Sequence, residues 1–562
     1  MIRCFLSVMV AFTVLMSGAA SAQQSQVLPS GAAAPGPMSD HIPAALEQLF
    51  TLDDGRIART ASLLVTQDVE RYRIDVCVDP GRGWLSGKCH LVARVNGSTM
   101  ELELNEALTV LSLKTASGDP LDFNRTGRRM EVLLRPAGSS RRAHGDESAD
   151  IELIVAYEGL VPLAHDPGDG GGGLVILTRE DAWYPSPRDG DVALFHATVR
   201  YPIGHSCLFT GTLSGMASTP AVVPGSCAGG DVWQTSIPIP SAALVVGGLD
   251  SSWGLVGDLF LGYHQFHDTG SQDAEYPTQV PIPTAQVVKE PIRFLETCLG
   301  PYPYDWLSVV AVPIGALGVP AISGPGLIIV EEATSEGGMA ESPSPDKYIL
   351  ELARCWWGHS ISAGALVSEG IAAHAEIRWL EDVRGEEDAA LRRALRHRQF
   401  ARVMADSSGQ TLLSLCIAPD GHCDKGVARG RGSAVMGMLD EMLGHDAYCG
   451  TLTALAQDHA GGATGLRDLS QALSDISGKD LNWFLYEWIY RAELPVYVLE
   501  YETVSDHGGH LVRGTITQSG EFFRTPVPLT VDLGGWTYDE WVTIESAATV
   551  KRRSQRRNSK DY

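Results

Sequence analysis

Hydrophobic periodicity changes twice along this chain. From Tyr72 to about Leu249 apolar and polar residues alternate, as in Tyr72-Arg73-Ile74-Asp75-Val76-Cys77-Val78, His90-Leu91-Val92-Ala93-Arg94-Val95 and Met100-Glu101-Leu102-Glu103-Leu104. A period of two belongs to half-buried strands, so this stretch reads as a largely antiparallel β domain. After about residue 280 the signals become helical, and from Val496 to about Glu545 the alternation returns. A chain of 562 residues is too long for one hydrophobic core, so the changes of period mark separate domains. The expected fold class is α+β multidomain.

The helical part carries legible start and stop signals. At Ser344-Pro345-Asp346, Ser occupies a cap, Pro the first turn and Asp the positive end of the dipole, which predicts a helix bearing Glu351 and Arg354. A second helix is predicted from about Ser368 to Arg384, stopped by Gly385. Others are predicted around Ser433 to Leu443 and from Leu466 to Ile476, where Leu466, Leu469, Leu473 and Ile476 share one face before Gly478. Strands are expected around Leu307 to Val312 and Gly326 to Val330.

The first residues differ from the rest. A basic start at Arg3, an apolar run from Phe5 to Met16 and the small residues Ala20-Ser21-Ala22 form the pattern of a secretory signal peptide over residues 1–22. Residues 23–64 read as a lead-in segment, and no later apolar run reaches the length of about 20 residues that a spanning helix requires. The chain is therefore expected to be exported, periplasmic or extracellular. With 43 Lys and Arg against 68 Asp and Glu, the formal charge is −25, which excludes nucleic acid as a partner of the body. The basic run Lys551 to Lys560 is expected to be a solvated tail over residues 547–562.

Nine cysteines follow the leader: Cys77, Cys89, Cys207, Cys227, Cys298, Cys355, Cys416, Cys423 and Cys449. Export permits disulfides, and short spacing favours the local pairs 77–89, 207–227 and 416–423. An odd number leaves at least one thiol free. Cys416 and Cys423 with His422 lack a second pair at finger-like spacing, so a stapled loop is expected there.

Several stretches, in fixed order, resemble the gluzincin zinc aminopeptidases of the membrane alanyl aminopeptidase type. Trp183-Tyr184-Pro185, Gly300-Pro301-Tyr302-Pro303-Tyr304 with Val310-Ala311-Val312-Pro313, Pro325-Gly326-Leu327-Ile328, Trp356-Trp357-Gly358 and Ser368-Glu369-Gly370-Ile371-Ala372 each match a family element. Gly385-Glu386-Glu387, the run Ser433 to Leu439 and Trp483-Phe484-Leu485-Tyr486-Glu487-Trp488 continue the series, so the resemblance covers roughly residues 65 to 545. It implies an N-terminal β saddle over 65–255, a thermolysin-like peptidase domain over 256–494 and a small C-terminal β sandwich over 495–546.

What the resemblance implies for chemistry is loss. In the family, the two His of HExxH and a downstream Glu hold zinc. The Glu of HExxH activates water, another Glu binds the peptide amine, and a Tyr stabilises the oxyanion. By register Leu350 and Arg354 replace both His, Ser323 within Ile322-Ser323-Gly324 replaces the amine-binding Glu, and Arg429 stands at the Tyr position. Glu351, the remnant general base, and Glu369, the remnant metal ligand, survive. An Arg has no lone pair to donate and repels a dication, so no cofactor is expected. Instead Arg354 is expected to neutralise Glu351 and Glu369 as a buried ion pair. His359 and His374 are the other conceivable ligands, and a hydrogen-bonded core role is favoured for His374.

The reading that follows is an exported, non-catalytic pseudopeptidase whose retained cleft binds peptides or a protein partner, with Trp183 and Tyr184, alongside Ile322, Ser323 and Gly324, as candidate walls or plain packing. One alternative is an active zinc metallo-aminopeptidase with a non-standard ligand set. The other is a structural or assembly protein acting through its surface or basic tail.

Overall fold

A computed structural model describes residues 67–134, 148–165, 172–187, 192–217, 227–267, 285–332, 344–361, 363–406, 425–462, 464–490, 495–506, 509–519, 522–532, 537–544 and 548–556. The leader, the lead-in and the Cys416, His422 and Cys423 loop lie outside them. Two compact units are present, Val65–Ser408 with Ser414–Leu481, and Asn482–Tyr562 grouped apart. Among the described residues no helix is long and apolar enough to cross a membrane.

The alternating N-terminal segment builds a seven-stranded sheet in the order Thr212–Met216, Cys227–Gln234, Leu194–Pro202, Gln67–Asp79, Trp84–Asn96, Ser148–Leu160 and Leu108–Thr115. Every neighbour pair is antiparallel except Gln67–Asp79 with Leu194–Pro202. Val69, Tyr72, Ile74, Val76 and Val78 turn inward and are buried. Their charged neighbours Arg71, Arg73 and Asp75 face outward or sideways, as the period of two requires.

Trp183 and Tyr184 belong to this core. Trp183 is 0% exposed, donates from Nε1 to the Ala242 carbonyl at 3.3 Å and stands edge-on to Tyr184 and Phe209. The Tyr184 hydroxyl accepts the Ala242 N–H at 3.1 Å, beside Tyr72 and Phe195. Their whole surface is taken up by packing, so the structure places plain core aromatics where cleft walls were a candidate role.

A second sheet of five strands follows, in the order Leu249–Val256, Leu259–Phe266, Trp306–Pro313, Leu327–Glu332 and Ala321–Gly324. Its three central strands are parallel, and an antiparallel partner closes each edge. Trp306 to Val312 are all buried, the continuous apolar run of a strand covered on both faces. The sheet begins at Leu249, so the expected boundary between 255 and 256 cuts through its first hairpin.

The helices of this unit are α1 (Ala285–Leu299), α2 (Pro345–Ala353), α3 (Gly364–Arg384), α4 (Glu386–Asp406), α5 (Lys425–Leu443), α6 (His445–Asp458) and α7 (Leu466–Ser477). Helix α2 starts at Pro345 as predicted, although the Ser344 hydroxyl makes no capping bond. Helices α3 and α5 both begin earlier than their sequence signals. They cross at Gly370 and Gly432, where a Cβ on Gly370 would lie 2.9 Å from the Gly432 carbonyl carbon, and one on Gly432 2.8 Å from the Gly370 Cα. Only glycine allows two backbones this close. Helix α4 is tied to α3 through buried Glu376, which accepts from Arg392 and Arg396.

The disulfides differ from two of the local pairs expected, 77–89 and 207–227, while 416–423 lies outside the described residues. Cys77 joins Cys227, and Cys298 joins Cys449. In the strand register Cys77 lies opposite Ser86 while Cys89 lies opposite Ile74. The two are thus displaced by three residues, about 10 Å, and an odd displacement puts them on opposite faces. Cys207 lies on Ser206–Phe209, in a different sheet from Cys227, and its thiol contacts Asp231 Oδ2 at 3.5 Å. Cys89, Cys207 and Cys355 are free and buried.

In the second unit, α8 (Asn482–Leu485) runs into a π-helical turn, Tyr486–Tyr490. Val496–Asp506, Gly509–Ser519 and Ala548–Arg556 form one sheet, and Thr525–Asp532 pairs with Thr537–Ile544. Tyr497 and Ile516 from the first pack with Val527, Val542 and Ile544 from the second, so the small β domain has a core between two sheets. Of residues 547–562, expected to be a solvated tail, Ala548–Arg556 instead form a strand, paired antiparallel from Thr517↔Ala548 to Gly509↔Arg556, and the others lie outside the described residues. The strand's position at the edge of that sheet gives the backbone a partner.

Candidate functional site

Four elements bring the remnant residues together. Helix α2 supplies Leu350 and Glu351 and ends on Arg354 as its C-cap; α3 supplies Glu369, α5 supplies Arg429, and the edge strand Ala321–Gly324 supplies Ser323. The end of α2 is fixed by its aromatic tail. Trp356 Nε1 lies 2.9 Å from both the Gly300 and Pro301 carbonyls. Gly358, with φ of 136°, then folds the chain back, so that the His359 N–H reaches the Arg354 carbonyl at 3.0 Å. His359 is thereby set beside Ser323.

Both carboxylates are buried, Glu351 at 3% exposure and Glu369 at 5%, and both guanidiniums reach each of them. Arg354 Nη1 donates to Glu351 Oε2 at 2.7 Å, while Arg429 Nη2 donates to Glu351 Oε1 at 3.1 Å. Arg429 Nε donates to Glu369 Oε2 at 2.6 Å. Arg354 Nε lies 3.1 Å from Glu369 Oε1, an ion-pair distance, but its N–H is off the axis to that oxygen and finds no hydrogen-bond acceptor. The pairing of Arg354 with Glu351 and Glu369 is thus present, and Arg429 doubles it. Ser323 Oγ donates to Glu351 Oε2 at 2.7 Å and lies 2.9 Å from His359 Nε2.

The electrostatics follow from that geometry. Burial alone pushes the Glu351 carboxyl up, but the charges of Arg354 and Arg429 and the Ser323 hydrogen bond outweigh it and hold the group down at about 2. Burial works against both guanidinium charges, yet the carboxylates hold Arg354 and Arg429 above the ordinary guanidinium value. Burial, then the Arg354 charge, lowers His359 to about 3, so it stays neutral. A further pair, Lys425 Nζ with Glu180 Oε1 at 3.1 Å, stands near enough for Glu180 to feel Arg354.

These residues do not fit a catalytic zinc, which requires three protein ligands and an open position. Leu350 has no donor atom, Arg354 has no lone pair, and the oxygens of Glu351 and Glu369 already face guanidinium groups. His374 lies elsewhere, with Nε2 2.9 Å from Asp440 Oδ2 and its ring edge-on to Tyr448; it is a satisfied core histidine. Among the described residues one group of three metal-ligating side chains converges, Cys298, His445 and Cys449, and it belongs to α1 and α6.

Of the residues singled out from sequence, Leu350, Glu351, Arg354, Glu369, Ser323 and Arg429 meet in one cluster, with Ile322 and Gly324 beside Ser323 on the strand. Trp183 and Tyr184 do not join it. The link from Ser323 to His359 and the outer pair Glu180 and Lys425 were missed. The available signal was charge balance, because two surviving carboxylates call for two cations and the register offered Arg354 and Arg429.

No protein-family model matches the chain. A stretch of 77 residues is 36% identical to aminopeptidase N of Lactococcus lactis subsp. lactis, covering 14% of this chain and 9% of that protein. The M1 zinc metallopeptidase of Deinococcus radiodurans superposes with a TM-score of 0.58 at 19% identity, over 76% of this chain and 95% of that one. A mutant of that enzyme bound to a Tyr-Ser-Ala substrate gives 0.56 at 21% identity, with the same coverage. Legionella pneumophila aminopeptidase A in complex with aspartic acid gives 0.60 at 16% identity, over 87% of this chain and 57% of that one. At such identities the likeness is one of architecture. The chain has the fold of the M1 zinc metallopeptidases, and it is aminopeptidase-like.

Proposed function

We propose that this protein is an exported, non-catalytic relative of the M1 zinc aminopeptidases that binds peptide or a protein partner beside the Ala321–Gly324 strand. The observation that carries this reading is that Arg354 and Arg429 each span both Glu351 and Glu369. Two guanidiniums facing two carboxylates leave a neutral site with no vacancy in its charge balance. A general base works best when its pKa lies near the working pH. Glu351, held at about 2, takes a proton from water poorly.

The same residues bear on ligand choice. Ser323 stands where the related enzymes bind a peptide's amine, and a hydroxyl gives an ammonium far less than a carboxylate does. The edge strand offers backbone groups to an extended chain, with Ile322 and Gly324 flanking Ser323. A peptide is thus held by its backbone, with no preference for a free N-terminus. The leader-like start and the two disulfides support export.

The test joins two assays on the oxidised, full-length protein. Aminoacyl-coumarin substrates are expected to show no chelator-sensitive turnover with zinc present. Fluorescein-labelled peptides with free and with acetylated N-termini are expected to bind with matching affinities in anisotropy titrations. Chelator-sensitive turnover overturns the non-catalytic reading, and failure of every peptide to bind overturns the peptide-binding one.

A further inference from the structure

Away from the two-arginine site, α6 and the end of α1 carry an arrangement that the proposed function does not use. Cys298 on α1 and Cys449 on α6 form a disulfide with Cα atoms 4.3 Å apart. His445 precedes Cys449 by four residues, one helical turn, and so lies on the same face. Its Nε2 is 3.5 Å from Cys449 Sγ. Its Nδ1 is 3.0 Å from Asp440 Oδ1, and Asp440 is anchored on its other oxygen by His374 Nε2 at 2.9 Å. With Asp440 accepting the Nδ1–H, the Nε2 lone pair is left free to ligate, the outer-shell arrangement of metal-bound histidines.

We infer that reduction of the Cys298–Cys449 disulfide uncovers a site for a thiophilic divalent cation, zinc above all, held by the two thiolates and His445 Nε2. The two sulfurs and the imidazole already lie within 4.8 Å of one another. Tetrahedral zinc, with Zn–S about 2.3 Å and Zn–N about 2.0–2.1 Å, requires ligand atoms roughly 3.5–3.8 Å apart. Once the S–S bond is broken, side-chain rotation alone brings the three atoms to that spacing. Soft thiolates with one imidazole select zinc over calcium or magnesium. A cavity of about 30 Å³, lined by Cys298, His374, Arg378, His445 and Tyr448, adjoins the site and is large enough for a water as fourth ligand. His445 is 46% exposed on its side chain, which gives an ion a way in. Arg378 brings a positive charge to the same cavity, and its Nε lies 3.8 Å from Asp440 Oδ2, which partly neutralises it.

The chemistry balances as follows. A dithiol passes its two hydrogens to the Cys298 and Cys449 sulfurs and closes its own disulfide. Cation binding then displaces both thiol protons to solvent, leaving two thiolates and a neutral imidazole around the metal. The oxidised protein offers neither thiolate. Metal binding is therefore switched by redox state, independently of the Glu351 and Glu369 cluster.

The test uses the full-length chain, metal-free, reduced anaerobically with a water-soluble phosphine and titrated with cobalt(II). One equivalent is expected to give thiolate-to-cobalt charge-transfer bands and the visible absorption of a tetrahedral site, both erased by one equivalent of zinc. The oxidised protein is expected to give neither. His445→Ala keeps the disulfide and so the fold of the oxidised form, and after reduction it is expected to weaken binding at least tenfold. The Cys298→Ser, Cys449→Ser pair is expected to abolish the bands. Cys416→Ser with Cys423→Ser is expected to leave them unchanged. Absence of the bands after reduction, or their persistence at full strength in His445→Ala or in the Cys298, Cys449 pair, overturns the inference.

Discussion

Arg354 Nη1 lies 2.7 Å from Glu351 Oε2, one turn along the same helix end, with Arg354 12% and Glu351 4% exposed on their side chains. On a helix surface such a pair contributes a few tenths of a kcal/mol. Here it is buried and shared with Glu369 and Arg429, so the consequence of breaking it is of another order. Removing one member strands a charge away from water.

Arg354→Ala is expected to destabilise the protein by about 3–5 kcal/mol, read from urea unfolding. Combining it with Glu351→Gln removes the stranded charge as well, so the double variant is expected to lose at least ~1 kcal/mol less than the sum of the two singles. Strict additivity would count against a coupled buried network.

The pH dependence has a definite sign. His359 titrates at about 3 in the folded protein and near 6.5 when unfolded, so below about pH 6.5 the unfolded chain takes the proton first. Stability is therefore lost as pH falls from about 6.5 toward 3. Glu351, held at about 2 against about 4.3 unfolded, adds a loss as pH falls below about 4.3 and through 2. His359→Asn is expected to flatten the melting-temperature profile between about pH 6.5 and 4.5, and an unchanged slope would remove His359 from the explanation.

Packing at the helix crossing carries a prediction about the site. Gly370→Ala drives a methyl into the Gly432 backbone, which cannot move aside as a side chain would. A cost of about 1–3 kcal/mol is expected in urea unfolding, together with greater solvent access to Glu369 and Arg429, carried by the two helices forced apart. A neutral substitution would show that the crossing is looser than described.

Peptide mapping without reduction is expected to recover Cys77 linked to Cys227 and Cys298 linked to Cys449, with Cys89, Cys207 and Cys355 resisting alkylation until unfolding. Recovery of a 77–89 link would contradict the strand register.

Much of this molecule is legible in its sequence where periodicity speaks directly. Alternation at Tyr72 to Val78 and the apolar run at Leu307 to Val312 announce their strands, and Ser344-Pro345-Asp346 announces α2. Helix α3 is announced late, because Gly364-Ala365-Leu366-Val367 carries no cap signal, and of these only Leu366 and Val367 are buried. The disulfides escape because spacing along the chain says nothing about strand parity or about helices brought together across some 150 residues. Arg354 and Arg429 were legible as replacements, yet that both bridge the same two carboxylates depends on the close crossing of α3 and α5. His359 owes its place to the turn at Gly358, which only the folded backbone reveals.

The most direct test of the central claim, that two arginines hold the place of the zinc, is equilibrium dialysis of the oxidised full-length protein against zinc, with metal content read by mass spectrometry. The account predicts no tightly bound zinc in the wild type, and no change on Glu369→Gln. One zinc per chain that is lost in Glu369→Gln would contradict it.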